Sequence, residues 1–420
     1  MGRQRNIHVY IDWAEKSSPI YMGILHTEVI RGKEVFSFES SDEWLKHPEF
    51  KFIDPDLGQF KGHQYLNDSK DNFGLFLDSS PDRWGRLLIR RREAMMAKSE
   101  NRQVRNLTDT DYLLGVYDGN RMGALRFKTD ISGDFLDNKS ELATPPWSTI
   151  RELEHASLQL ERVDAPEDPE YNNWLRMLIA PGSSLGGARP KSNVTDNNRD
   201  LWIAKFPSNQ DTRDMGAWEA VTAEIAHNCG IEVAPWKSEK LTGAHHTFFS
   251  KRFDRTTQGK RLYFASAMTL LGYTDGADAS QGVSYLELAG FITSGGCDVE
   301  YNLEQLWRRI VFNIGVSNCD DHLRNHGFIL TPKGWKLSPA YDVNPDEFGN
   351  GLKINIDDNN NSLDFDLALS VAKYFGLTSA KANEILSIIC FKIKDWQKIA
   401  AKYNISRYEQ DMMRNAFKIL

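Results

Sequence analysis

Apolar and polar residues alternate with a period of two in the first part of the chain, which is typical of strands that bury one face. The alternating segments are Ile7–Ile11, Tyr21–Leu25, Val35–Phe38 and Met122–Lys128. Between them, apolar residues recur at helical spacing over 82–96, and 111–117 predicts a second, shorter helix. Ser40, followed three residues later by Glu43, predicts a capping box that opens a short helix. We therefore predict a β-rich subdomain with a helical insert over residues 1–130.

The pattern changes after a polar segment, 132–146, which is the best linker candidate. A strand is predicted over 201–206, a helix over 215–229 and another strand over 247–253. Beyond residue 265 the pattern is mostly helical, with an interruption at 318–342. Strands followed by a helical remainder predict the α+β fold class.

Composition narrows the class of protein. The 420 residues suffice for two or three domains at about 150 residues each. The net charge of −7 argues against a protein that coats nucleic acid through charge alone. Four scattered cysteines without a CxxC pair favour buried thiols in a reducing cytosol. Residues 1–11 do not read as a signal peptide, and no run of 18 apolar residues occurs, so we expect a cytoplasmic protein.

A glycine-rich segment, Pro181–Lys191, is the first of four candidates for phosphate chemistry. Its small residues allow backbone N–H groups to approach a phosphate, and Lys191 adds a positive charge. The segment does not match the GxxxxGK[ST] loop. A simple glycine-rich turn is the alternative.

The second and third candidates lie on strands. Lys205 stands inside an apolar strand and needs a partner, which in a kinase is nucleotide phosphate plus a helix carboxylate such as Glu219 or Glu224. A strand-edge lysine with its head in water is the alternative. The segment 250–255 follows an apolar strand whose backbone could contact an adenine edge, or it is an ordinary strand end.

The fourth candidate is the most specific. Two acids, a histidine, an arginine and an asparagine fall within Asn318–Asn325, and a short predicted hairpin then leads to Asp342. Asp320 precedes Asn325 by five residues, the spacing that separates the catalytic Asp of protein kinases from a metal-binding Asn. These side chains supply the hard oxygen ligands that Mg²⁺ prefers. A polar loop with an Asp cap is the alternative.

These motifs resemble the HipA family of bacterial serine/threonine kinases, the toxin half of HipBA toxin–antitoxin systems. The segments 78–86 and 121–127 are similar to its N-terminal signatures, and Phe312–Gly315, NCDDHLRN and SPAYD are similar to its catalytic core. The resemblance implies a two-lobed protein-kinase-like fold. It would comprise the N-terminal subdomain, a kinase N-lobe over 145–253 and a helical C-lobe over 254–420.

Carried over by position, the resemblance implies that Asp320 is the catalytic base and that Asn325 and Asp342 bind Mg²⁺. Ser184 falls where family members autophosphorylate, with Ser183 as a rival. The implied ATP-binding residues are Gly186, Gly187, Ala188, Arg189, Pro190, Lys191, Lys205, Lys251, Arg252, Phe253, His322, Leu323, Arg324, Asn325, Tyr341 and Asp342.

The resemblance also implies partners: a cytosolic protein substrate, which in relatives includes aminoacyl-tRNA synthetases, and a HipB-like helix-turn-helix antitoxin. DNA would be contacted only through the antitoxin. Two other functions stay open, a kinase-like corepressor without essential turnover and a metal phosphohydrolase using Asp320, Asp321 and His322. The basic residues of 89–92, with Lys98, Arg102 and Arg105, could face DNA or a partner, or form a solvated helix face.

Overall fold

The computed structural model describes residues 4–47, 53–67, 70–136, 144–180 and 187–418. They form two compact units. The first contains Met1–Gln210 and Asp254–Ala265, and the second contains Asp211–Phe253 and Ser266–Leu420. The predicted division into a subdomain and two kinase lobes stays a prediction, because compactness alone does not assign lobes.

The first unit is built on an antiparallel sheet with strand order β4-β3-β2-β1-β5. Its elements are β1 (Arg5–Ile11), β2 (Ile20–Ile30), β3 (Lys33–Ser40), α1 (Asp42–Leu45), β4 (His63–Tyr65), α2 (Gly74–Asp78), α3 (Arg83–Ser99), α4 (Asp109–Leu114), β5 (Leu125–Lys128), α5 (Ile150–Leu160), α6 (Tyr171–Ile179), β6 (Lys191–Thr195) and β7 (Leu201–Lys205). The strands predicted at the start of the chain are therefore present.

Period-two burial explains the sheet. Ile7, Val9 and Ile11 of β1 are buried, whereas the residues between them are only partly covered. Phe38 and Phe127 extend the buried face and pack near Phe76 of α2. Aromatic rings bury a large apolar area each, so these three contribute strongly to the stability of this layer.

The start of α1 differs from the prediction by one residue. Ser41, not Ser40, caps the helix, and its hydroxyl accepts a hydrogen bond from Trp44 N at 3.0 Å. Ser40 is instead the last residue of β3, where it pairs with Gly23 of β2. Pairing in the sheet therefore removes Ser40 from competition for the cap.

The second unit is mostly helical. Its elements are α7 (Met215–Asn228), β8 (Trp236–Lys240), β9 (His246–Lys251), α8 (Ala267–Leu270), α9 (Tyr285–Gly295), α10 (Val299–Val316), β11 (Gly327–Thr331), β12 (Gly334–Leu337), α11 (Phe365–Val371), α12 (Ser379–Ile393), α13 (Trp396–Lys402) and α14 (Arg407–Met413). A three-residue strand, β10 (Phe264–Ser266), lies where the chain passes from the first unit to the second.

The long helix α10 forms the centre of the second unit. Its residues from Leu306 to Val316 are buried except Arg308, and Trp307 donates a hydrogen bond to Ala368 O at 3.1 Å. The antiparallel hairpin of β11 and β12 follows the loop after α10. None of the helices in the described ranges has the length and apolar character needed to cross a membrane.

Candidate catalytic loop

The loop after α10 begins at a sharp change of backbone direction. Ser317, at φ +49°, ends the helix in the left-handed conformation, and Asn318 N bonds back to Asn313 O at 2.9 Å. Such a conformation is uncommon for a residue with a side chain and is often found at functional sites. The turn places 318–326 beside the last turn of α10.

Asp321 is the structural centre of this loop. Its carboxylate is buried and accepts hydrogen bonds from Tyr285 Oη, from Asn313 Nδ2 at 2.7 Å and from His326 Nε2 at 2.7 Å. Burial raises the pKa of Asp321, but the charge and hydrogen bond of His326, the hydrogen bond from Tyr285 and the charge of His322 together hold that pKa below its ordinary value. The side chain is therefore an ionised anchor that joins α9, α10 and the loop.

Asp320 has the opposite surroundings and is exposed. Its backbone carbonyl accepts a hydrogen bond from Asn325 Nδ2 at 3.0 Å, across the tight turn Leu323–Asn325. The segment between Asp320 and Asn325, whose spacing the sequence analysis singled out, therefore forms a closed turn. It fixes Asn325 while leaving the Asp320 carboxylate at the surface.

The segment that contains Asp342 is tied to this loop through two asparagines. Asn318 Nδ2 donates to Asn313 Oδ1 at 3.1 Å, and Asn318 Oδ1 accepts from Asn344 N at 3.3 Å. Asn344 Nδ2 in turn lies 3.4 Å from Asp342 Oδ1. Asp342 itself has φ +57°, a strained conformation for a non-glycine residue. The two predicted metal-binding segments are thus brought together.

Tyr341 links the catalytic loop to the predicted hinge. Its hydroxyl donates to Arg324 O at 2.7 Å, and its ring lies 5.5 Å from the ring of Phe253, centroid to centroid. Arg252 is buried and Lys251 is half-buried at the end of β9. Within the second unit, Tyr341 therefore connects the predicted hinge residue Phe253 to the predicted catalytic loop.

His322 and Leu323 have different environments. Leu323 is buried, whereas His322 is only partly covered. His322 Nδ1 is buried and has no hydrogen-bond partner within the described part of the chain. An unpaired buried nitrogen is uncommon, and a bound polar group, ion or water is one way to satisfy it. Arg324 forms an ion pair with Asp275 at 3.4 Å.

The remaining predicted nucleotide residues belong to the first unit. Lys191 and Lys205 lie directly opposite each other on β6 and β7. Lys191 is buried, and its Nζ lies 2.9 Å from Asp82 Oδ2. Gly187 has φ +94°, and a Cβ atom there would lie only 3.2 Å from Lys191 Nζ. Glycine is therefore the residue that suits this point of the loop.

The rest of the predicted phosphate loop is described only in part. Ala188 is exposed, Arg189 is half-buried and Pro190 is buried, with Pro190 O accepting from Phe206 N at 2.9 Å. Gly186, Ser183 and Ser184 lie outside the described residues. Their predicted roles stay predictions.

The basic residues near α3 are partly engaged within the protein. Arg102 and Arg105 both bind the buried carboxylate of Glu93. Arg91 donates to Leu160 O at 2.6 Å. These three guanidinium groups therefore have structural partners, which weakens the reading of this run as a surface for DNA.

Sequence reasoning placed Asp82 and Trp84 in a predicted helix and in the segment 78–86, but it predicted no contact for either residue. Asp82 caps α3 by accepting from Gly85 N at 3.0 Å while it also binds Lys191, and Trp84 Nε1 donates to Lys191 O at 3.0 Å. Asp321 was noted only as an alternative hydrolase residue, although it anchors the loop. For Asp82, the available signal was its position at the start of a predicted helix. For Asp321, it was its position inside the motif that also contains Asp320 and Asn325.

The donor chemistry of the loop fits a Mg²⁺ ion. Because Asn325 Nδ2 is engaged with Asp320 O, the amide oxygen Oδ1 is the group left to face a cation. Asp342 adds a carboxylate on the segment held by Asn344. Both are hard oxygen donors of the kind that Mg²⁺ takes.

A family model and two curated relatives are similar to this chain. Residues 183–397 match the family model described as the HipA-like C-terminal domain. The serine/threonine-protein kinase toxin HipA of Shewanella oneidensis is 24% identical over 269 residues, which cover 56% of this chain and 59% of the relative. A putative kinase of Haemophilus influenzae is 28% identical over 179 residues, which cover 38% of this chain and 52% of the relative. The chain thus spans little more than half the length of these two curated relatives.

The structure is also similar to a chain in the complex of HipA, HipB and operator DNA from Shewanella oneidensis MR-1. The TM-score is 0.63 at 16% identity, and the match covers 98% of this chain and 94% of the other. The fold is therefore a kinase-like α+β fold with an N-terminal sheet, as the sequence predicted. Because the family model matches more than half of the residues, the chain belongs to the HipA-like family.

Proposed function

We propose that the chain is an ATP- and Mg²⁺-dependent serine/threonine protein kinase. The observation that carries this proposal is the division of labour between neighbouring aspartates. Buried Asp321 anchors the loop, while exposed Asp320 is held by the Asn325 turn with its carboxylate at the surface. A kinase needs a rigidly positioned carboxylate that reaches a target hydroxyl outside the nucleotide.

In the proposed reaction the γ-phosphoryl group passes from ATP to a serine or threonine oxygen. The bond between that phosphorus and the leaving oxygen of ADP breaks, and the hydroxyl proton goes to Asp320. Asn325 and Asp342 would hold Mg²⁺, which neutralises phosphate charge when bound. Lys205 and the loop from Gly186 to Lys191 would hold the phosphates, and the end of β9 would contact the adenine.

The proposed target is a cytosolic protein such as an aminoacyl-tRNA synthetase, and its modification would inhibit growth. The proposed partner is a HipB-like helix-turn-helix antitoxin that carries the complex to DNA. The names of the relatives support this part of the proposal, since one is a toxin HipA and a similar fold occurs in a complex with HipB and operator DNA.

Self-modification at Ser184 is a further part of the proposal. A phosphoserine adds roughly −1.5 to −2 charges at pH 7, which would repel the phosphates of ATP and compete for the same N–H donors. Mass spectrometry after incubation with Mg²⁺·ATP, followed by ATP titration of the modified chain, tests it. Phosphate at neither Ser183 nor Ser184, or unchanged ATP affinity after modification, contradicts the switch.

The experiment for the main proposal is incubation of the purified chain with labelled ATP, Mg²⁺ and a host lysate, with identification of the labelled protein. We expect label on a specific protein, and its loss in Asp320→Asn. Asp358→Asn is the matched control, because Asp358 is an exposed acid of the same unit and the chemical change is the same. It should label as the unmodified chain does.

The other functions give different results in the same experiment. Free phosphate released without a labelled acceptor indicates a phosphohydrolase. Binding of an antitoxin with no transfer to any protein indicates a corepressor. Either result contradicts the kinase proposal.

A further inference from the structure

Three metal-ligating side chains converge on one face of the N-terminal sheet. His26 lies on β2, Glu39 on β3 and His63 on β4, and one ligand atom from each lies within 4.8 Å of the others. Glu39 is directly opposite His63 in the β3–β4 pairing. In the β2–β3 pairing, Glu39 is opposite Ile24. His26 lies two positions after Ile24 on β2, so His26 and Ile24 are on the same face of the sheet. The cluster is therefore built by the register of three neighbouring strands.

The second observation is the state of the His26 ring. His26 Nδ1 lies 2.9 Å from Asn6 Oδ1, an acceptor, so Nδ1 carries the proton of that hydrogen bond. His26 Nε2 is buried and has no hydrogen-bond partner among the described residues. The Glu39 carboxylate lies 3.6 Å from Nε2, too far for a hydrogen bond but within ion-pair range. In the neutral ring, the lone pair of His26 Nε2 faces the lone pairs of the Glu39 carboxylate.

The two histidine rings are close enough to share one ligand. They lie 4.5 Å apart, centroid to centroid. Metal ions bind imidazole in its neutral form.

The surroundings also resemble the outer shell of a metal centre. Metal-binding histidines usually bond their second ring nitrogen to a neighbouring group, which fixes the ring. Asn6 does this for His26, and Ser37 Oγ lies 3.1 Å from Nδ1 of His63. His8, the other histidine of this face, is engaged with Tyr21 Oη at 3.0 Å. In each ring one nitrogen is therefore held by a neighbour, and within the described residues the other nitrogen forms no hydrogen bond.

We propose that His26, Glu39 and His63 bind one Zn²⁺ ion, with water in the fourth position. Two imidazoles and one carboxylate are a common zinc ligand set, whereas Mg²⁺ takes oxygen ligands. The ion would join strands β2, β3 and β4. Because β4 has only three residues and, among the described strands, pairs only with β3, a bond through His63 would hold this edge to the sheet.

The test uses the untagged full chain, stripped of metal by chelation and free of nucleotide. Titration with Zn²⁺ against a chromophoric chelator should give one tight site per chain that millimolar Mg²⁺ does not displace. Zn²⁺ should also raise the Tm of thermal unfolding. Titration with Co²⁺ should give the intense visible absorption of a tetrahedral site.

The variants separate this site from other metal-binding groups. His63→Ala and Glu39→Gln should each weaken Zn²⁺ binding by at least about tenfold. His155→Ala removes an exposed histidine of the first unit, and Asp342→Asn removes the proposed Mg²⁺ ligand; both should keep the zinc site. Equal Zn²⁺ affinity in His63→Ala and the unmodified chain overturns the proposal. Should the variants fail to fold, absence of the tetrahedral Co²⁺ spectrum in the unmodified chain overturns it as well.

Discussion

Asp320 and Asp321 are adjacent residues of the same type, yet Asp320 is exposed and Asp321 is buried. The buried carboxylate of Asp321 accepts from three donors on α9, α10 and the end of the loop. Each donor was placed there by a different element, so the anchor depends on tertiary structure. Sequence spacing identified Asp320 through Asn325, but it could not distinguish an exposed acid from a buried one.

At the residue scale we predict that Asp321→Asn destabilises the second unit by about 3 kcal/mol, because it removes the negative charge that three hydrogen-bond donors surround. The amide would also turn an N–H group toward those donors. Urea unfolding of the variant beside Asp358→Asn measures the effect. A loss no larger than that of the control would contradict the anchoring role.

The same carboxylate predicts a pH dependence. The pKa of Asp321 is lower in the folded chain than its unfolded value of about 3.9. Its stabilisation is therefore full above about pH 5 and is lost as the pH falls through 4 and below. Unfolding measured from pH 7 to pH 3 should show a steeper loss for the unmodified chain than for Asp321→Asn. Parallel curves would show that another group dominates the acid limb.

At the scale of secondary-structure elements, the sequence predicted the positions of strands and helices better than it predicted the contacts between them. Period-two burial located the first three strands, and the helix of 215–229 begins and ends within one residue of α7. The cap of α1 was wrong by one residue because sheet pairing claimed Ser40. The ion pair of Lys191 with Asp82 was missed, since 109 positions separate the partners. The αL conformation of Asp342 was likewise not predicted, because only a small fraction of non-glycine residues has a positive φ and the residue type alone does not identify which.

The buried ion pair of Asp82 and Lys191, which joins the start of α3 to β6, predicts a loss of stability when either charge is removed. Asp82 and Lys191 side chains are each only 2% exposed, so removing one charge leaves the other buried without it. Asp82→Asn keeps a capping side chain for α3 but should destabilise the first unit by about 3 kcal/mol. Adding Lys191→Met should recover part of that loss. Urea unfolding of the two single variants and the double variant completes the cycle.

Additive losses in that cycle would contradict the pairing. The double variant also separates stability from function, because Lys191 is a proposed phosphate ligand. We expect it to bind ATP more weakly than the unmodified chain even where its stability is recovered.

Across the whole molecule, the residues that we propose to bind ATP belong to both compact units. Gly187, Lys191 and Lys205 are in the first, and Phe253, Asn325 and Asp342 are in the second. The order of motifs along the chain was enough to predict the family and the kinase-like fold, since that order is itself the signature. The zinc-binding cluster of the N-terminal sheet had no such signal, because three strands contribute one ligand each.

The proposed toxicity is a prediction for the intact chain in a cell. Expression without a partner should slow growth, because a kinase acting on an essential cytosolic protein removes its function. Asp320→Asn should restore growth, while Asp358→Asn should not. Growth curves at matched expression levels measure this. Normal growth with a chain that is active in vitro would contradict the toxin role and leave the kinase activity standing.

The most direct test of the central claim measures ATP affinity and phosphoryl transfer together in two variants. Asp320→Asn should lower transfer by about 10²–10⁴-fold while ATP affinity stays close to that of the unmodified chain, because the proposed contact of Asp320 is with the target hydroxyl. Asp342→Asn should instead weaken Mg²⁺·ATP binding by about tenfold or more, because it removes a proposed metal ligand. Equal loss of ATP affinity in both variants would contradict this division of roles, and normal transfer by Asp320→Asn would contradict the kinase mechanism itself.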